Sequence, residues 1–237
     1  MSTERPYEGS ELDIFAHAVR WKRYWSSKLK PLLGRKVLEV GAGIGTNTPY
    51  LCSELQDQWL CLEPDSALTS QIAGKLGRFP WAGVVETRVG IVTDLPEEPV
   101  FDSIIYIDVL EHIEDDLREV EAAISRLKPG GKLIVLSPAY QFLFTEFDAS
   151  IGHYRRYTAG ALRRLTPSGA AIENLFYLDC AGLLTSLANK VVLHQPMPKP
   201  AQLLFWDKRL VPLSKALDRI CGYRLGRSVI AIWTRKD

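Results

Sequence analysis

The chain of 237 residues has almost no net charge: 29 Lys and Arg face 28 Asp and Glu. No global field therefore draws it to nucleic acid or to an anionic membrane, and no nucleic-acid partner is expected. Cysteine is sparse. Cys52, Cys61, Cys180 and Cys221 form no CxxC pair and have no histidine at metal-ligand spacing, so they read as buried thiols of a reducing compartment rather than a disulfide framework. No run approaches 18 apolar residues, which excludes a membrane-spanning helix. The first ten residues, "MSTERPYEGS", lack an apolar stretch, so no secretory signal is expected and the location reads as cytoplasmic. Repeats and low-complexity tracts are also missing. What is there is an ordinary globular composition, 46% apolar and 24% charged, over a length that suits one elaborated domain spanning 1–237.

Residues 10–33 place Leu12, Phe15, Ala16, Val19 and Tyr24 near helical spacing behind a candidate Ser10 cap. Short apolar runs follow at 36–45, 58–64, 81–90, 101–110 and 130–139, each reading as a buried strand. Helical patterns fill the gaps at 65–76 and 114–131, the latter opening on carboxylates and closing at Lys128-Pro129-Gly130. Strands alternating with helices predict an α/β, doubly wound, Rossmann-like parallel sheet. Beyond residue 140 the rhythm breaks. A polar segment leads to a short helix at 158–166, a strand at 170–179, a proline-punctuated amphipathic stretch and a last strand at 228–235.

Gly41, Gly43 and Gly45 end the first strand and precede a helix, a setting in which glycines let a ligand approach the backbone. The same spacing also serves a plain tight turn. A dinucleotide fingerprint would want glycine where Thr46 stands, which argues against a nicotinamide oxidoreductase. Glu63 ends the second strand, where a carboxylate can accept both hydroxyls of an unphosphorylated ribose or, beside Asp65, act as a helix-capping acid.

Four blocks, "VLEVGAGIGTNT", "CLEPD", "FDSIIYIDVLEHIEDD" and "LKPGGKLIVLSP", appear in an order and spacing that resemble class I S-adenosylmethionine-dependent methyltransferases. The resemblance covers residues 35–140. It implies a seven-stranded, mostly parallel sheet with an antiparallel last strand, and S-adenosyl-L-methionine as cofactor. By that resemblance Glu39, Gly41, Ala42, Gly43, Gly45 and Thr46 surround the methionine moiety, and Glu63 with Pro64 holds the ribose. Gly90 and Ile91 frame the adenine in place of a more usual Gly-Asp, with Asp94 as an alternative. Asp108, Val109 and Leu110 close the site at the end of the fourth strand. In-line methyl transfer asks the protein to align the acceptor, exclude water and take a proton from a hydroxyl. His112 can be that base or a helix cap. The adjacent Glu111/His112 pair is used with a divalent ion by some family members, but no metal site is assigned here.

The stretch "SPAYQFLFTEFDASIGHYRRYT" (137–158), which overlaps an acceptor or lid segment at 141–166, resembles one in a type 11/12-like bacterial subgroup linked with surface-polysaccharide or polyprenol-linked sugar metabolism. Arg155 and Arg156 can fork onto a carboxylate or phosphate, Tyr154 and Tyr157 can stack on a ring, and His153 or Asp148 can deprotonate a hydroxyl. Alternatively the segment is an ion-paired lid, with an arginine packed back on Glu146 or Asp148. Segment 182–226 carries seven Lys and Arg against Asp207 and Asp218. It reads as a helical substrate cap, a dimer contact or a basic amphipathic surface that meets the inner membrane face and a lipid-linked acceptor. The expected function is methyl transfer to an oxygen of a sugar, glycolipid or other small anionic acceptor. The rival is a non-catalytic, cofactor-binding partner of a membrane-associated glycan-synthesis complex.

Overall fold

The computed structural model describes residues 15–190 and 200–237; Ser10, Leu12 and the stretch 191–199 lie outside the described residues. Seven strands form one sheet: β1 Lys36–Val40, β2 Gln58–Glu63, β3 Val85–Val89, β4 Phe101–Ile107, β5 Leu127–Pro138, β6 Ala170–Leu178 and β7 Ser228–Arg235. Their order is β3-β2-β1-β4-β5-β7-β6, and only β7 runs antiparallel to its neighbours. β1, β2 and β4 are buried almost end to end, as their unbroken apolar runs require of a sheet covered on both faces. Between β1 and β4 the winding reverses, and a crevice opens there outside the strands' C-terminal ends.

One face of the sheet is covered by α1 (Val19–Leu29), α2 (Thr48–Leu51) and α3 (Ser66–Leu76), the other by α4 (Asp116–Arg126). Asp65 caps α3 by accepting from the backbone N–H of Ala67 at 2.7 Å and Leu68 at 3.1 Å. α1 has no acid in its first turn and borrows one: Asp207 accepts from the N–H groups of Arg20 at 3.2 Å and Trp21 at 2.9 Å. The helix expected to close at Lys128-Pro129-Gly130 stops slightly earlier, at Arg126. Pro129 cannot continue it, so Leu127 enters β5 and Lys128–Gly131 forms an irregularity in that strand's pairing with β4.

After β5 come α5 (Glu146–Ser150) and α6 (Ala159–Arg164), then β6. α7 (Cys180–Ala188), α8 (Pro200–Phe205), a π turn at Trp206–Leu210 and α9 (Val211–Ile220) follow before β7. Two buried aspartates tie this cap down. Asp218 accepts from the Tyr24 hydroxyl of α1 at 2.8 Å and from the N–H groups of Asp179 and Cys180 at 2.9 and 2.8 Å. Asp179 accepts from Gly182 N–H at 3.0 Å, Ser214 Oγ at 2.6 Å and Trp206 Nε1 at 2.8 Å. The described residues of α7 and α9 are thus tied to α1, and Thr185, Ser186, Leu203 and Trp206 line the crevice. Among the described residues no helix is long and apolar enough to cross a membrane.

Candidate active site

The crevice is a cavity of about 1400 Å³, larger than one cofactor-sized ligand fills. One end is built by the glycine loop. Gly41 has φ +63°, and a Cβ there would lie 2.5 Å from Val109 Cγ2; Gly43 and Gly45 also have positive φ. Glu63 projects beneath the loop, 7% exposed, with Oε2 accepting from Gly43 N–H at 2.8 Å and Oε1 from Asp65 N–H at 3.1 Å. Burial raises its pKa, and these two bonds oppose that shift. Each carboxylate oxygen retains a lone pair for a hydroxyl.

Of the expected cofactor residues, Gly41, Ala42, Gly43, Thr46, Glu63, Pro64, Gly90, Ile91, Asp108 and Val109 line the cavity. Three do not. Gly45 turns toward α3, its missing Cβ 3.1 Å from Ile72 Cγ2. Leu110 is wholly buried in the core. Glu39 points away from the cavity and accepts from Thr48 Oγ1 at 2.8 Å and Trp59 Nε1 at 2.9 Å, so it braces α2 from below rather than surrounding a ligand. Asp94 is also off the cavity: it accepts from Ile91 N–H at 2.9 Å and shapes the turn beside Gly90.

Lys22, which inspection of the motifs missed, stands over the loop. It is 5% exposed, donates from Nζ to Thr46 Oγ1 at 2.7 Å and lines the cavity. Burial pushes its pKa down to about 8, while Asp108 and Glu39 oppose the shift. A signal was present: Lys22 falls on the same buried stripe of α1 as Trp25 and Leu29, where a solvated lysine does not belong.

The other end gathers polar groups from two distant segments. Asp108 leaves β4 with φ +55°, a conformation that costs a non-glycine residue about 1 kcal/mol or more. Its side chain keeps accessible surface within the cavity, yet enough protein surrounds it to raise its pKa, against the pull of His153, Arg227 and Lys22. Glu111 is fully buried, and neither carboxylate oxygen has a hydrogen-bond partner among the described residues. Burial, reinforced by Asp108, drives its pKa well up. Ser137 Oγ, near enough to favour its charge, makes no properly aligned bond and is also orphaned. His112 and His153 meet edge to face with ring centroids 4.5 Å apart, and burial with His153 lowers the His112 pKa to about 4. His153 Nε2 lies 3.9 Å from Glu111 Oε1. Glu111, His112 and His153 each offer a ligand atom within 4.8 Å of the others, so a third donor from 41 residues downstream joins the adjacent pair. That set is chemically competent for a divalent cation.

Asp148 sits behind His153. It takes His153 Nδ1 at 2.9 Å, Arg156 Nε at 2.7 Å and Nη2 at 2.9 Å, and the N–H and hydroxyl of Thr145 at 2.9 Å each. Burial would raise its pKa, but the bonds from His153 and Arg156 outweigh it and hold the carboxyl well below its ordinary range. Asp148 is therefore no acceptor of a proton near neutrality, contrary to one expectation.

The four residues expected to contact the acceptor divide. Arg156 lines the cavity but is engaged bidentately by Asp148, the ion-paired alternative. Tyr154, Arg155 and Tyr157 do not line it. Arg155 pairs with Asp116 at 2.7 Å and donates to Glu114 O at 2.6 Å. Tyr157 is 2% exposed and donates to Asp116 Oδ2 at 2.8 Å. Tyr154 is half exposed at the surface. The chain is extended here, so alternate side chains face opposite ways, and Arg155 and Tyr157 both point to Asp116.

Residues 15–169 match the family described as "Methyltransferase domain". The ubiquinone biosynthesis O-methyltransferase of Xylella fastidiosa (strain 9a5c) is 32% identical over 149 residues, 54% of this chain and 59% of that protein. The mitochondrial ubiquinone biosynthesis O-methyltransferase of Homo sapiens is 32% identical over 132 residues, 52% of this chain and 36% of that protein. The chain thus spans less than two thirds of the length of these curated relatives. Geranyl diphosphate methyltransferase, solved in complex with SAM, shares the fold with a TM-score of 0.66 at 13% identity, over 99% of this chain and 93% of that one. The family match takes in the glycine loop, Glu63 and the whole Asp108–Arg156 cluster. The chain belongs to the methyltransferase-domain family and has the class I fold of S-adenosylmethionine-dependent methyltransferases.

Proposed function

We propose that the protein transfers a methyl group from S-adenosyl-L-methionine to an acceptor hydroxyl. The observation that carries this reading is one cavity with a glycine loop and ribose-competent Glu63 at one end and a proton-accepting cluster at the other. S-adenosyl-L-methionine supplies an electrophilic methyl carbon on a sulfonium. Glu63 accepts from the ribose hydroxyls, Gly90 and Ile91 flank the adenine, and Lys22 binds the amino-acid carboxylate. Asp108 adds negative charge where the sulfonium lies.

His153 carries the proton chemistry. Its Nδ1 is held by Asp148, which fixes the tautomer with the Nε2 lone pair turned toward Glu111 and His112. That lone pair can take the hydroxyl proton. A second reading is favoured by the orphaned Glu111 carboxylate: Glu111, His112 and His153 hold a divalent cation. Such an ion would supply Lewis acidity that favours loss of the acceptor hydroxyl's proton. Asp148 then serves as the carboxylate behind a metal-ligating histidine. Loss of turnover in a chelator, restored by zinc or another divalent transition metal, separates the two readings.

The curated relatives' printed activity speaks for oxygen as the acceptor atom. A sugar or glycolipid, expected from the likeness of the polar segment, has no support among them. Peripheral contact of 182–226 with the inner membrane face remains part of the proposal, because Leu184, Phe205, Leu213 and Ile220 are exposed among its basic residues. Liposome flotation tests it, and recovery of all the protein in the unbound fraction refutes it. For the enzyme itself, S-adenosylhomocysteine release is followed with a catechol as test acceptor. Glu63→Ala should weaken cofactor binding about tenfold or more, and unchanged affinity refutes the ribose role.

A further inference from the structure

One guanidinium in the cavity enters the chemistry above only through its pull on Asp108. Arg227 immediately precedes β7, whose first residue, Ser228, pairs with Pro138 at the C-terminal end of β5. Its backbone is pinned on both sides: its N–H donates to Asp179 O at 3.1 Å and its carbonyl accepts from Ala139 N–H at 2.8 Å. Nε lies 3.2 Å from Asp179 Oδ2, and the guanidinium carbon is 4.1 Å from the centre of the Trp206 ring.

Burial alone could make this a structural ion pair, but the geometry argues for more. Asp179 already accepts from Gly182, Ser214 and Trp206, so Arg227 is a fourth partner reaching it through the Nε edge. Neither Nη atom has a hydrogen-bond partner among the described residues. The side chain is 24% exposed, and it lines the cavity. A planar fork stacked on an indole, with its outer nitrogens open, is suited to a carboxylate or phosphate. Arg156, close enough to disfavour a second positive charge here, is already neutralised by Asp148. The remaining cation among the described cavity residues, Lys22, stands over Thr46 at the glycine loop.

We propose that Arg227, backed by Trp206, is an anion subsite that selects acceptors bearing a carboxylate or phosphate. The word acceptor rests on the methyl-transfer reading; the binding of an anion at Arg227 does not. An anion on the Nη atoms sits beside the C-terminal end of β5 and the start of β7, in the same cavity that His153 lines. The sequence suggested an anionic acceptor from Arg155 and Arg156. The structure moves that role some seventy residues along the chain.

Benzoate, phenyl phosphate and neutral benzamide are titrated into the full chain, with and without S-adenosylhomocysteine. At least one anion should bind about tenfold or more tightly than benzamide, and the preferred anion distinguishes a carboxylate from a phosphate site. Arg227→Met should bring the three within about twofold, with S-adenosylhomocysteine affinity unchanged. Arg227→Lys keeps a positive charge beside Asp179, so it carries the test if the methionine variant fails to fold, and it should retain only part of the preference. Equal binding of benzamide and both anions by the native protein overturns the proposal. So does a preference that persists undiminished in either variant. Anion preference without S-adenosylhomocysteine binding leaves the subsite standing and removes the methyl-transfer reading instead.

Discussion

At one end of the cavity, residues 41–46, 63–64 and 90–91 leave three neighbouring strands, each side chain or amide within a few residues of its own strand end. At the other end, Glu111 and His112 follow β4, while His153 and Arg156 come from beyond β5 and Arg227 from the start of β7. The first end depends on backbone conformation and the second on assembly of distant segments. Damage to them should therefore look different: loss of ligand shape in one case, loss of chemistry with binding intact in the other.

The largest effect is expected at the loop. Gly41→Val places a branched side chain at φ +63° with its Cβ 2.5 Å from Val109 Cγ2, where neither backbone nor neighbour has room. Cofactor affinity should fall by about a hundredfold or more, and thermal unfolding should move down by several degrees. Calorimetric titration with S-adenosylhomocysteine reads the first, and near-native affinity would contradict a loop that works through its backbone.

His153→Ala tests the other end. The rate of methyl transfer should fall about a hundredfold or more while S-adenosylhomocysteine affinity changes less than twofold. Asp148→Asn should cost less, because His153 remains but loses the charge that fixes its tautomer. A His153 variant that loses cofactor affinity instead would merge the two ends into one functional unit.

The loop end was legible in the sequence because its signals are local. Glycines after an apolar run and an acid at the next strand's end are adjacent in chain and space. The strands were legible for the same reason, and β7 occupies the expected 228–235. Assembly was not legible. Nothing local says that Arg155 and Tyr157 turn to Asp116, or that His153 completes a set with Glu111 and His112. Glu39 misled because a buried acid beside a glycine loop can serve the ligand or, through Thr48 and Trp59, the scaffold.

Lys22 belongs to α1 yet serves the loop end, and pH separates its two effects. Its pKa is lowered from 10.5 to about 8, so the folded state pays a desolvation penalty in full below pH 8. As pH rises from about 8 toward 10.5, the native lysine is neutral while the unfolded one is charged, and that penalty is relieved. The Lys22 contribution to stability therefore improves over this window while binding of a carboxylate weakens. Lys22→Met should lower cofactor affinity about tenfold at pH 7 and flatten its pH dependence above 8. An unchanged pH profile in the variant would remove Lys22 from the cofactor site.

The smallest effect sharpens the division within residues 153–157. Tyr157 donates to Asp116 Oδ2 at 2.8 Å and to Leu110 O at 3.2 Å, and it lies outside the cavity. Tyr157→Phe keeps the ring and removes one donor, leaving Asp116 still paired with Arg155. The expected cost is about 1 kcal/mol of stability, a fall of about 2–4 °C in Tm for a chain of this size. The KM for any acceptor should stay within about twofold, because only the scaffold has changed. If Tm holds and KM rises several-fold instead, Tyr157 touches the acceptor after all. The polar cluster would then act on its ligand as a whole, with no separation between the His153 and Arg156 that face the cavity and the Arg155 and Tyr157 that clamp Asp116.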